Sequence, residues 1–150
     1  MSFIYCGIYY LWAFGQRSTI MEAGKEIMAI DDIQLLVDTF YSRVREDDML
    51  GPIFEERLAG KWEEHLAKMY RFWQTLLLGE HTYYGSPLLP HLNMPVDKGH
   101  FKRWVSIFQQ TVDDLFTGEV AKEAKWRGSR MAEMFNYKIE FFRDNAGAVQ

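Results

Sequence analysis

Cysteine and proline are both scarce in this chain, with a single Cys6 and only four prolines. One thiol excludes an intramolecular disulfide and any zinc or iron–sulfur site built from several cysteines, and it suits a reducing cytoplasm. Basic charge is not concentrated anywhere. Lys and Arg number 17 against 21 Asp and Glu, the net charge is −4, and no basic stripe appears, so nucleic acid is not an expected partner. The longest apolar run, Phe3 to Phe14, falls short of the roughly twenty residues that cross a bilayer, so no stable membrane insertion is expected. That run also lacks the positive start and small-residue cleavage site of a signal peptide. Residues 1–20 read either as an appended interfacial segment or as translated upstream sequence, with Met21 or Met28 as the start.

What the chain has in quantity is apolar and aromatic material: 48% of its 150 residues are hydrophobic and 16% aromatic. That is enough for one domain with a real core, expected as a monomer spanning residues 29–145, after an extension at 1–28 and before a tail at 146–150. From Ile30 the apolar period is helical. Ile33, Leu36, Val37, Phe40 and Val44 recur at three- and four-residue steps, with Asp31 or Asp32 as N-cap, and Gly51-Pro52 is expected to break this helix. Ile53 to Leu58 reads as a short helical turn. Further helices are expected from about Lys61 to Leu78, Asp97 to Phe116 and Glu119 to Arg143, with Gly79 closing the first of these. Nothing reads as a strand. The class is all-α, with four main helices.

Residues 79–96 do not fit the helical pattern. They hold Gly79 and Gly85 with Pro87, Pro90 and Pro95, yet Leu88, Leu89, Leu92 and Met94 argue for an ordered, functional loop. His91 lies in its middle, between two prolines that stiffen the backbone. An imidazole on such a segment holds one orientation, as an axial metal ligand must. His65, on the helix upstream, is placed to face it across a flat cofactor. That arrangement suggests haem. A single distant cysteine cannot form the Cys-x-x-Cys-His of covalent attachment, so the expected form is haem b.

A series of motifs then extends this reading. Phe40-Tyr41, Leu50-Gly51-Pro52-Ile53-Phe54, Trp62-Glu63-Glu64-His65, Phe72-Trp73, Leu78-Gly79-Glu80, Tyr83-Tyr84-Gly85-Ser86-Pro87, His91 and His100-Phe101-Lys102-Arg103-Trp104 follow in order. With these, the chain resembles a group III truncated haemoglobin, the shortened two-over-two globin fold, over about residues 29–143. The resemblance implies that His91 is the proximal iron ligand, with a backbone carbonyl of the Pro87–Leu88 turn accepting from its other nitrogen. It places Tyr41, His65 and Trp104 on the distal side, where each offers a hydrogen to a bound ligand; His65 there either bonds the ligand or swings out as a gate. Phe40, Phe54, Met69, Phe72, Leu88 and Phe101 are the expected apolar lining. Lys68 either reaches a haem propionate or is a solvated surface lysine. His81 reads as exposed and His100 as a helix-start residue. The resemblance implies binding of dioxygen, nitric oxide or other diatomic ligands, with redox chemistry on nitric oxide or peroxide and a reductase as partner. Two rival readings are a plain helical interaction module and a di-iron bundle. The latter needs two Glu-x-x-His motifs, and the sequence offers only Asp97-x-x-His100.

Overall fold

The computed structural model describes residues 24–145. Five helices account for most of them: α1 (Ile30–Glu46), α2 (Gly51–Leu58), α3 (Trp62–Leu78), α4 (Lys98–Leu115) and α5 (Gly118–Asn145). Each long helix buries the face that its apolar spacing defines. In α1 this is Ile33, Leu36, Val37, Phe40, Tyr41 and Val44, all buried. α1 packs against α3 and α4, and α5 lies along α4 and reaches α3. Phe108 of α4 stacks between Trp73 of α3, at 4.7 Å, and Trp104, at 5.1 Å, so aromatic rings occupy the centre of the core.

The helix ends follow local chemistry, with two departures from expectation. α1 is capped at Ala29, not at Asp31 or Asp32. Asp32 sits three residues in, and its carboxylate accepts from the backbone N–H groups of Met28 (2.8 Å) and Ala29 (3.0 Å). Gly51-Pro52 does not break α1, which has already stopped at Glu46. The pair opens α2 instead, a position where proline's missing N–H costs nothing. Asp47 shapes the turn between them by accepting from Leu50 N–H at 2.9 Å, while its other oxygen takes Arg103 Nε of α4 at 2.6 Å. Gly79 ends α3 in the left-handed conformation, φ +70°, which only glycine adopts freely. Asp97 caps α4 by accepting from Gly99 and His100 N–H.

One element was not expected. Lys25–Glu26 (β1) pairs in parallel with Phe116–Thr117 (β2), and Ile27 beside it is only 2% exposed. Packing therefore reaches back ahead of the domain start expected at residue 29, and a start at Met28 would discard a core side chain. The apolar run at residues 3–14, like the tail at 146–150, lies outside the described residues. No helix among the described residues is long and apolar enough to cross a membrane.

Candidate functional site

A cavity of about 540 Å³ opens between α2, α3, the 87–96 segment, α4 and α5. Helical spacing builds its walls. His65, Lys68, Met69 and Phe72 share one face of α3, and His100, Phe101 and Trp104 share one face of α4. Tyr41 reaches in from α1 and Phe54 from α2, while Met131, Ala132 and Phe135 of α5 form the wall near His91. Of the residues singled out from sequence, His91, Tyr41, His65, Trp104, Phe54, Lys68, Met69, Phe72 and Phe101 all line this one cavity.

Phe40 and Leu88 do not. Phe40 neighbours Tyr41 on a helix, and one residue's rotation turns its ring away into the core. It is 2% exposed and packs edge-on behind Tyr41 (4.9 Å) and Trp104 (5.1 Å), supporting the wall without forming it. Leu88 contributes its backbone, accepting from His91 N–H at 2.8 Å. The cavity also has liners that sequence reasoning missed. Met131 and Phe135 were legible only as an apolar helix face. Arg57 and Lys61, with Lys68, place cations among the lining residues, and no sequence signal distinguishes them from other surface charges.

His91 ends a three-residue 3-10 turn, Leu89–His91. Its Nδ1 lies 2.7 Å from the Pro87 carbonyl oxygen. A carbonyl can only accept, so Nδ1 carries the proton and Nε2 presents a lone pair. Its ring packs on Phe135 at 5.0 Å, and burial lowers its pKa, keeping the imidazole neutral.

The other wall is polar but short of partners. Nε2 of His65 is fully buried and meets no hydrogen-bond partner among the described residues. Burial, assisted by the Lys68 charge, pulls the His65 pKa down to about 4, so it too is neutral near pH 7. The Tyr41 ring stands perpendicular to His65 at 4.9 Å, and burial alone drives the pKa of its phenol well up, with no ion or hydrogen bond offsetting it. Trp62 lies behind this pair, under the Arg45 guanidinium at 4.7 Å, and its indole N–H is likewise buried without a partner among the described residues. The site thus combines one imidazole whose Nε2 lone pair is oriented by the Pro87 bond with a set of uncharged hydrogen-bonding groups, Tyr41 and His65, on the same cavity. Among the described residues no three His, Cys, Asp or Glu gather as a metal cluster, the arrangement a di-iron carboxylate site requires.

A family model of bacterial-like globins matches residues 26–139. The chain is also 34% identical over 109 residues to a group 3 truncated hemoglobin, ctb, of Campylobacter jejuni, covering 70% of this chain and 86% of that protein. The chain belongs to the truncated haemoglobins. Its fold agrees. The crystal structure of a group III truncated hemoglobin from Campylobacter jejuni superposes with a TM-score of 0.72 at 32% identity, covering 77% of this chain and 94% of that one. This is a globin fold, and membership in the family implies haem as cofactor and small diatomic molecules as ligands.

Proposed function

We propose that this truncated haemoglobin holds haem b in the cavity through His91, and that Tyr41, His65 and Trp104 stabilise dioxygen or another diatomic ligand from the opposite wall. Bound haem would supply an iron that binds a diatomic molecule, and His91 would hold it. The residues present fit that group. Nε2 of His91 is the available nitrogen, because the Pro87 carbonyl holds Nδ1 and raises the basicity of the ring. Apolar side chains such as Met69, Phe72 and Phe101 suit the macrocycle, and Lys61 and Lys68 suit its carboxylates. Attachment is non-covalent, since the sequence contains no Cys-x-x-Cys-His.

The observation that carries the reading is the buried, unpartnered Nε2 of His65 on the same cavity as His91. An unsatisfied buried polar atom costs about 1–3 kcal/mol, which a bound ligand that accepts or donates a hydrogen would recover. A neutral His65, a phenol held in its neutral form and an indole N–H give donors without net charge. They favour a ligand that has gained negative character, and they retain it longer. Such a pocket suits chemistry on oxygen, nitric oxide or peroxide better than oxygen delivery. Visible absorption of the purified protein tests the cofactor. A haem spectrum is expected, and His91→Ala is expected to lose haem or bind it weakly, with added imidazole partly restoring the spectrum. Unchanged haem affinity and an unchanged reduced spectrum in that variant would overturn the assignment. Mixing the oxygenated protein with nitric oxide then tests the reaction: rapid conversion to nitrate supports a dioxygenase reaction fed by a reductase, and slow conversion refutes it.

A further inference from the structure

Three prolines leave residues 87–96 short of backbone N–H donors, so the segment cannot satisfy its own carbonyls. Internal bonds run from His91 N–H to Leu88 O (2.8 Å) and from Met94 N–H to His91 O (3.0 Å). The Pro90, Met94 and Val96 carbonyls are met from outside, by two arginines. Arg57 of α2 donates through Nη2 to Pro90 O at 3.1 Å. Arg143 of α5 donates through a single Nη2 to Met94 O at 2.7 Å and Val96 O at 2.6 Å. The three carbonyls bracket His91 in sequence. α5 also holds the imidazole itself, through Phe135, which lies about two helical turns before Arg143 and so on a similar face.

We propose that Arg57 and Arg143 are positioning residues for His91, two guanidinium clamps that fix the proximal turn so that the imidazole keeps one orientation toward the cavity. The inference rests on His91 as axial ligand, and adds the device that orients it. Proline stiffens the segment from within, but stiffness alone does not place it relative to α2 and α5. A guanidinium does both: Nη2 of Arg143 alone reaches two carbonyls, and its rigid planar head gives up less freedom for those bonds than a lysine ammonium on a flexible stem. Arg143 anchors two carbonyls beside the buried Val96, and Arg57 one carbonyl at an exposed position, so Arg143 carries the larger effect.

The test uses the haem-loaded protein with Arg143→Gln, Arg57→Gln and the corresponding Lys variants. Two quantities are read: the rate of haem transfer to an excess of a haem-free acceptor globin, and the iron–histidine stretching band of the reduced protein by resonance Raman. Arg143→Gln is expected to speed haem loss about tenfold and to shift or broaden the band. Arg57→Gln should give a few-fold change in the same direction, and each Lys variant should recover only part of the loss. If the arginines merely add stability, the haem-free protein melts earlier but the band stays where it was, which overturns the proposal. Haem loss within about twofold of the parent in both Gln variants overturns it as well. Should Arg143→Gln not fold, Arg143→Lys and Arg57→Gln carry both measurements. A parent protein with no iron–histidine band refutes the axial assignment itself, and the clamp with it.

Discussion

Replacing Tyr41 by Phe removes one oxygen atom and leaves the packing of its ring in place. That ring is 6% exposed and held by Phe40, Phe54, Trp62 and His65, with centroids 4.9 to 6.2 Å away, all of which a phenylalanine contacts equally well. The hydroxyl makes no hydrogen bond to a described residue, and its surroundings raise its pKa by burial. Two opposite consequences follow. In the haem-free protein the substitution should be nearly silent, within about 0.5 kcal/mol of the parent, because no hydrogen bond within the protein is lost. In the oxygenated protein it should be costly. A hydrogen bond to a group carrying charge is worth roughly 1.5–3 kcal/mol, and if it breaks before the dissociation barrier, oxygen release quickens about ten- to a hundredfold.

Stopped-flow displacement of oxygen measures the second effect, and chemical denaturation of the haem-free protein the first. Trp104→Phe should act on release in the same direction, but with a loss of stability as well, because its indole also stacks on Phe108 at 5.1 Å. The double variant should be less than additive if both donors serve one oxygen atom. Carbon monoxide, a weaker acceptor when bound, should respond less. Release within about twofold of the parent in both single variants, under about 0.5 kcal/mol, would refute the donor roles. A haem-free Tyr41→Phe protein destabilised by well over 1 kcal/mol would show that the hydroxyl already has a partner, and would undermine the argument from desolvation.

Three further outcomes are expected. His65 accepts its proton near pH 6.5 when unfolded and only near pH 4 when folded, so its share of the haem-free protein's stability should be lost as pH falls from 6.5 to 4, below which the loss comes from carboxylates such as Asp32 and Asp47, whose pKa values folding lowers. The contribution is roughly 2–3 kcal/mol after allowing for partial solvent screening, and His65→Leu should flatten that part of the pH–stability curve; an unchanged curve refutes the assignment. A chain begun at Met21 should unfold at the same denaturant concentration as the full chain, whereas one begun at Met28 loses the β1 pairing and the burial of Ile27, about 2–3 kcal/mol; equal stability of the two would mean that β1 contributes nothing. Gly128→Ala would place a methyl 2.9 Å from the Phe108 ring and 3.5 Å from Trp104. Because Phe108 is stacked on both sides, overpacking of about 1–3 kcal/mol should exceed the gain of up to about 1 kcal/mol in helix propensity, and oxygen release should change with Trp104; a more stable variant with parental release would refute this.

The long helices were legible because their signals are local and repeated. Apolar positions three and four residues apart identified the buried face of α1, and Gly79 and Asp97 marked ends whose chemistry is carried by single residues. β1 was not legible, because two residues cannot display an alternating pattern and its partner lies far along the chain, at Phe116–Thr117. The cap of α1 was misplaced for a related reason. Asp32 has the right chemistry, but a carboxylate can bond back to the preceding N–H groups from the third helical position as well as from the cap, and composition does not distinguish the two.

The site divides along the same line. His91 stood out in the sequence by its place between two prolines, whereas its acceptor was expected only from the family resemblance, somewhere in the Pro87–Leu88 turn, and the structure gives it as the Pro87 carbonyl. Tyr41, His65 and Trp104 lie on three different helices, and no spacing rule connects them; only the resemblance to a family grouped them, and the cavity then brought them together. Phe40 was placed on the lining because it adjoins Tyr41, but adjacent helical residues point about 100° apart, and the sequence does not say whether both reach the cavity, as Phe72 and Trp73 do, or one turns into the core, as Phe40 does. Arg57 and Arg143 were invisible for a deeper reason. Nothing in the sequence distinguishes an arginine bonded to solvent from one bonded to a carbonyl 33 or 47 positions distant. Yet the need for such donors was readable in principle. A segment with proline at 87, 90 and 95 has more carbonyls than N–H groups, so the missing hydrogens must come from water or from side chains elsewhere. In this chain those side chains are the two that hold the turn bearing His91.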